Sequence, residues 1–443
     1  MQNDSGYEEK TEMQSIGSIK SSLASGAYDA ALSHLYCRPA EMLQPYRDRI
    51  VRVMDGFMKE FGAGEDSLVS IYSAPGRTEI GGNHTDHQRG KVLTGAVDLD
   101  AVACAAPNGS DTVRIFSEGY GLTELGVTDL FPKIEEKNTT KAIVRGTLAA
   151  ISQRGYETGG FDAYVVSDVP GGSGLSSSAC FEVLIGVIVN GLFCGGAIEA
   201  AEIAKIGQYA ENVYFGKPSG LLDQMGCAIG GIVAIDFKDK DHPEYHAVDI
   251  DFADTGYALC IVDTGADHAD LTDDYAAVPA EMKSIASYFG KEVLSEVDES
   301  DFYANVPALR KEKGDRAVMR AMHYYTDCRR VEQQVESLEK HDIERFLSLV
   351  SSSGHSSYMY LQNVDTYRDP ANQPVAVALA MARYYLRGRG ARRVHGGGFA
   401  GTIQAFVPLD MVDEFKNGMD SLLGEGACRV TYIRPVGGCA LTE

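Results

Sequence analysis

Residues 167–186 read SDVPGGSGLSSSACFEVLIG, a run of glycines and serines that passes directly into an apolar helix. The helix, 178–193, is apolar nearly all round, so it requires neighbours on every side. A chain that carries it must build layers around it and place a tight loop at its N-terminus. That end leaves backbone N–H groups unpaired and carries partial positive charge. Gly171, Gly172 and Gly174 allow a ligand close to the backbone, and Ser176, Ser177 and Ser178 add hydroxyls. The arrangement suits a phosphate. It is not a Walker A loop, because no Lys-Ser or Lys-Thr follows, and the third glycine of the dinucleotide fingerprint would fall on Ser177. Taken alone, the loop also reads as a plain helix entry capped by serine.

Three further clusters stand out. SAPGRTEIGGNHTDHQRG (73–90) crowds Arg77, Asn83, His84, Asp86 and His87 into a glycine-punctuated loop after a strand. Asp accepts two hydroxyls, and Asn and His each accept or donate, so this loop suits a polyol. A metal reading of His84, Asp86 and His87 lacks a third ligand pattern. AENVYFGKPSGLLDQMG (210–226) ends one helix with Glu211 and opens the next with Asp223; each acid alone also reads as surface charge. VHGGGFAGTIQAF (394–406) is a glycine-rich strand turn.

The chain has 443 residues, which predicts two domains, and a formal net charge of −23, which disfavours nucleic acid and anionic lipid as partners. Nine widely spaced cysteines without a CxxC fit reduced thiols in the cytoplasm. The polar N-terminus is no signal peptide, and the apolar run around Val183–Val189 is too short to span a bilayer. The pattern predicts a loose tail over 1–18. It predicts a helix over 41–61 with Ile50, Met54, Phe57 and Phe61 inward, and a strand over 67–76 ending in a Pro-Gly turn. Strands are expected at 161–168, 231–237 and 257–265, with a helix marked by Ile203, Ile206, Ala210 and Val213. Residues 315–350 read as a highly charged helix pair with a solvated face. Helix 375–388, strands 391–395 and 402–408, helix 411–423 and strand 428–435 suggest an α+β unit of the split-βαβ kind. The polar stretch 238–247 marks the crossover, dividing an extension (1–40), an N-terminal domain (41–245) and a C-terminal domain (246–443).

In the order PGR…HTD, GxGLSSSA, PSGLLDQ, GGGFAG, the clusters make the chain resemble the GHMP small-molecule kinases, over roughly 67–443. The PGRxxxxGxxHTD form points to the galactokinase branch, and DTGADHADLTDDY (263–275) is similar to that family's sugar-side strand and loop. The resemblance implies an α+β, two-domain GHMP kinase fold: a ribosomal-S5-like N-terminal domain, a ferredoxin-like C-terminal domain, and ATP and sugar meeting between them. It implies that the 171–178 loop wraps the ATP phosphates. Asp223 would face the sugar's C1 hydroxyl, with Arg77 beside it, and Ser178 and Glu211 would hold Mg²⁺. Asn83, His84, Asp86, Gly220 and Tyr275 match sugar-contacting positions. The implied enzyme is a cytoplasmic sugar 1-kinase, monomer or homodimer, that takes galactose.

Departures from the family pattern keep alternatives open. Position 83 usually carries a glutamate that accepts a hydrogen bond from the C6 hydroxyl; Asn83 is uncharged and so admits a uronic acid such as galacturonate, for which Arg89, Lys91 and Lys217 are nearby cations. Thr140 and Ile143 stand where relatives place a tryptophan and a tyrosine near adenine, and AAVPAEM lacks the arginines that follow Tyr275 in the family. A non-catalytic sugar and nucleotide sensor would tolerate loss of Arg77, Ser178, Glu211 or Asp223, yet all four are present. A kinase for mevalonate or homoserine would lack the HTD cluster.

Overall fold

A computed structural model describes residues 13–171, 174–217, 219–239, 242–265 and 271–443. The N-terminal part supplies β1 (Gln14–Ser15), β2 (Leu68–Gly81), β3 (Lys91–Pro107), β4 (Thr112–Ser117), β5 (Gly121–Gly126), β6 (Phe161–Ser167), β7 (Ile232–Asp236) and β8 (Glu244–Val248). The C-terminal part supplies β9 (Tyr257–Asp263), β10 (Ala391–His395), β11 (Thr402–Pro408), β12 (Cys428–Thr431) and β13 (Cys439–Leu441). The first sheet runs β1-β2-β3-β6-β4-β5, with β7 and β8 extending from β3 and β13 returning from the chain's end to pair with β2. The second sheet runs β10-β11-β9-β12, antiparallel throughout. With helices between β9 and β10 and between β11 and β12, that is the ferredoxin-like order, as expected.

The helix Ser177–Phe193 packs against β2, β3 and the helices Thr140–Gln153, Ala200–Tyr209 and Leu222–Ile229. Its buried residues run almost unbroken from Ala179 to Asn190, which explains its all-round apolar sequence. Among the described residues no helix is long and apolar enough to cross a membrane.

Three local expectations are corrected. First, β2 does not stop at Pro75-Gly76 but runs on to Gly81, with a register shift between Pro75 and Arg77. The extra residues lie on β3, which runs from Asp100 to Ala96 while β2 passes from Pro75 to Arg77, and the Arg77 N–H donates to the Leu175 carbonyl at 3.1 Å. Second, residues 13–18 are ordered. Ser15 caps the helix Ile16–Ser25 by accepting from the Ser18 N–H, and Ile16, Ile19 and Leu23 are buried at helical spacing. Third, the charged helices Asp315–Glu339 and Ile343–Ser356 keep the expected solvated face, with Arg329 and Glu332 exposed, but the first also buries Arg320, His323, Asp327 and Gln334. Ion pairs absorb that charge: Arg320 reaches Glu281 at 2.9 Å, and Asp327 pairs with Arg330.

The extension has a structural account. Helices Ile16–Ser25, Asp29–Tyr36 and Gln44–Phe61 cover the face of the first sheet turned away from Ser177–Phe193, in a second core that includes Ile50, Met54 and Phe57 with Val102 and Val166. Asp100, wholly buried on β3, fastens this layer. It accepts from Tyr36 Oη at 2.9 Å, from Arg434 Nη1 at 3.0 Å, and from Arg49 and Ser73. Burial pushes the Asp100 carboxyl up, but Arg49 and Arg434 outweigh it and hold the group below the usual carboxylate range. Asp100→Ala would leave the buried Arg434 guanidinium without a carboxylate and Arg49 with Asp168 alone, a loss of about 3–5 kcal/mol in urea unfolding at neutral pH. Because the folded carboxyl titrates below its unfolded value, its contribution is complete above the unfolded value. The gap between wild type and variant is therefore expected to close as pH falls below about 4.

Candidate active site

Arg77 and Asp223 form the centre of the site. Arg77, on β2, donates through Nε to Asp223 Oδ1 at 2.8 Å, and its Nη2 lies 2.7 Å from the same oxygen. Its Nη1 donates to the Gly174 carbonyl in the loop that opens Ser177–Phe193. Asp223 sits in the first turn of Leu222–Ile229, where the helix dipole favours an anion. Burial pushes the Asp223 carboxyl up, but Arg77 and a hydrogen bond from Ser176 Oγ to Oδ2 hold it below the ordinary range. Its side chain remains 33% exposed, so an ionised carboxylate faces the cleft.

Gly171 and Gly174 lie in that loop; Gly172 falls outside the described residues. Ser176 has φ +56°, a conformation that side-chain-bearing residues adopt at a cost, and this aims its hydroxyl at Asp223. Ser177 and Ser178 begin the helix and line a cavity of about 470 Å³ beside the loop. Thr140 and Ile143 also line it, and the aromatic surface there comes instead from Tyr120, Phe181 and Phe215.

Beyond Ser178 lies an acidic cluster. Ser178 Oγ is 3.5 Å from Glu211 Oε1, which also accepts from Lys217 Nζ at 2.8 Å. Gln224 Nε2 bridges Glu211 Oε2 at 3.1 Å and Glu182 Oε2 at 2.8 Å. The other Glu182 oxygen is buried without a partner. Burial, and then the nearby Glu211, push the Glu182 carboxyl well above its ordinary value. Glu182 escaped the sequence reading, although a single acid in an otherwise apolar helix was the available signal. The Ser178 hydroxyl and the Glu211 carboxylate are hard-oxygen donors of the kind that fits Mg²⁺. A cationic ammonium already rests on Glu211.

On the sugar side, His84 has φ +59° and its Nε2–H donates to the Gly397 carbonyl at 3.0 Å. Burial, with His87 nearby, pulls its pKa down to about 4, so the ring is neutral at physiological pH. Asp86 lies against Gly220, where a Cβ would stand 2.9 Å from Asp86 Oδ2; a side chain at 220 would crowd that carboxylate. Tyr275 donates to the Gly398 carbonyl and packs edge-on against Phe399, so it braces the GGGFAG turn. Residues 266–270 of the expected sugar-side loop lie outside the described residues.

Asn83 departs from expectation. It has 0% exposure, and its amide is saturated by protein. Nδ2 donates to Glu79 Oε1 at 2.9 Å and to the Gly396 carbonyl at 2.7 Å; Oδ1 accepts from Asn363 Nδ2 at 2.8 Å and Ser357 Oγ at 3.2 Å. Its backbone N–H donates to Asp327 and its carbonyl accepts from His323 Nε2. No atom of the amide is left for a sugar. Glu79, Arg393 and Asn363 were missed by the sequence reading. They act through contacts across more than 270 residues, for which a linear pattern offers no signal.

Comparison with known proteins agrees with this geometry. Residues 55–107 match the family described as galactokinase galactose-binding signature, and 139–231 match GHMP kinases N terminal domain. The chain is 31% identical over 387 residues to a galactokinase of Streptomyces coelicolor, covering 86% of this chain and 95% of that one. It is 28% identical over 394 residues to a galactokinase of Streptococcus thermophilus, covering 87% and 97%. A Lactococcus lactis galactokinase solved with galactose superposes with a TM-score of 0.73 at 23% identity, covering 88% of this chain and 99% of that one. Methanococcus jannaschii mevalonate kinase superposes at 0.58 and 15% identity, covering 82% and 98%, a likeness of fold. From its ordered motifs, its two sheets and its similarity along nearly the whole of a curated relative, the chain belongs to the galactokinase family of GHMP kinases.

Proposed function

We propose that this chain transfers the γ-phosphoryl group of ATP to the anomeric hydroxyl of galactose, giving ADP, α-galactose 1-phosphate and a proton. The observation that supports this best is the Arg77–Asp223 pair, a partly exposed ionised carboxylate held beside the phosphate loop in a chain of the galactokinase family. Phosphoryl transfer asks little covalent help of the protein; it needs an aligned nucleophile and stabilised phosphate oxygens.

In this reading Asp223 accepts a hydrogen bond from the C1 hydroxyl and aims its oxygen at the γ-phosphorus. Its lowered pKa makes it a weak base, so the proton moves late, as the new O–P bond forms and the bond to the β-phosphate oxygen breaks. Arg77 keeps Asp223 ionised and faces the transferring oxygens. Gly171, Gly172 and Gly174, with Ser176, Ser177 and Ser178, hold the phosphates at the positive end of Ser177–Phe193. The cavity beside Phe181 and Phe215 takes the nucleoside. Ser178 and Glu211 would hold Mg²⁺, which when bound would neutralise phosphate charge. His84, Asp86, Gly220 and Tyr275 shape the sugar side. Nine free cysteines suit a reducing, cytoplasmic setting.

Asp223→Asn is expected to lower kcat by about 10²–10⁴-fold in a coupled ADP-release assay, with galactose binding retained in calorimetry. Loss of binding together with turnover would argue against the assignment. Wild-type kcat is expected to stay level on the acid side until pH falls below the ordinary carboxylate range, because the working form of Asp223 is ionised. Arg77→Gln should move that acid limb upward, since the charge that depresses the pKa is gone. In a Mg²⁺ titration, Glu211→Gln should raise the half-saturating concentration by about ten- to a hundredfold, and an unchanged midpoint would remove Glu211 from the metal site.

A further inference from the structure

Position 83 lacks the carboxylate that the family usually presents to the sugar's C6 hydroxyl, and the Asn83 amide is fully engaged. A carboxylate is nevertheless present, four residues upstream and hydrogen-bonded to Asn83. Glu79 follows Arg77 by two residues in an uninterrupted stretch of β2, so both side chains leave the same face of the strand. Glu79 Oε1 is anchored by Asn83 Nδ2 at 2.9 Å and Arg393 Nη2 at 2.8 Å. Arg393 is wholly buried and pairs with no other acid among the described residues, so it requires Glu79 as its counter-ion. Among the described residues no donor reaches Glu79 Oε2, and it is not among the atoms sealed from solvent; the residue keeps 8% exposure. Burial raises the Glu79 carboxyl above its ordinary value, a rise that Arg393 and Arg77 limit and Asp86 adds to.

The cations that could welcome a sugar acid are already matched. Arg89 pairs with Glu292 at 2.6 Å and Glu296 at 2.8 Å. Lys91 pairs with Glu332 at 2.7 Å and Asp236 at 3.2 Å, and Lys217 with Glu211 at 2.8 Å. Loss of charge at 83 therefore does not make the cleft hospitable to a second carboxylate.

We propose that Glu79 is the specificity-determining carboxylate of this sugar site: its Oε2 accepts the hydrogen bond of the C6 hydroxyl, and its charge turns away sugars whose C6 is a carboxylate. Asn83 is then a positioning residue that orients Glu79. The proposal rests on the galactose reading of the cleft and replaces the uronic-acid option that Asn83 alone leaves open.

The test uses the full chain with Mg-ATP and compares galactose with 6-deoxygalactose, which lacks only the C6 oxygen. Wild type should show a KM for 6-deoxygalactose about ten- to a hundredfold above that for galactose, the span of one charge-assisted hydrogen bond. Glu79→Gln should raise the galactose KM about tenfold with kcat little changed, leave the 6-deoxygalactose KM within about threefold, and tighten galacturonate binding. Equal losses on both neutral sugars would show a purely structural role and overturn the proposal, as would no loss on either. Calorimetry on wild type needs no variant to fold: galacturonate binding as tight as galactose also overturns it. Failure of wild type to phosphorylate galactose at all would instead strike the underlying reading, and the proposal with it.

Discussion

A buried guanidinium must find acceptors in every direction it presents, and that requirement at Arg77 organises the cleft. Asp223 takes two of its nitrogens and the Gly174 carbonyl takes a third. One side chain thus joins the sugar-side strand, the helix that carries Asp223, and the loop over the apolar helix. The backbone of the same residue donates to Leu175, in that same loop. The register shift between Pro75 and Arg77 lies at this same approach.

The chain uses acidic residues in two physically different ways. Asp100 is surrounded by two arginines, a tyrosine and a serine, so its lone pairs are filled and the cluster is closed. It fixes the N-terminal helices to the sheet and has nothing left to offer a ligand. The group around Glu211 is the reverse. Among the described residues one Glu182 oxygen is buried without a donor, and Glu211 pairs with the tip of a lysine side chain that is 55% exposed. An under-supplied set of hard oxygens beside a phosphate loop is where a divalent cation would gain most.

Much of the architecture was legible in the sequence. The all-apolar helix, the Ile50–Phe57 stripe and the strand-strand-helix-strand order near the C-terminus each appear close to their expected bounds. Periodicity reports burial directly, so these were readable. It failed where polar residues are buried. Residues 315–350 looked solvated because charge density suggests water, whereas Arg320 and Asp327 have their partners inside the protein. Pro-Gly suggested a turn because its commonest use is a turn, whereas here both residues stay within β2 beside a register shift.

Sequence alone determined the candidate chemistry: a phosphate loop, an arginine and an aspartate in ordered motifs, and oxygen donors suited to a hard cation. Each motif is local, but the pairs they form are not: Arg77 meets Asp223 across 146 positions and Ser178 meets Glu211 across 33. Only the tertiary structure decided which groups face the cleft. Asn83 occupies the expected place in its motif, yet Asn363, Ser357 and Gly396, all more than 270 positions away, join Glu79 in consuming its amide. A hydrogen-bond donor can satisfy only so many acceptors, and which acceptors it meets is settled by packing between distant segments.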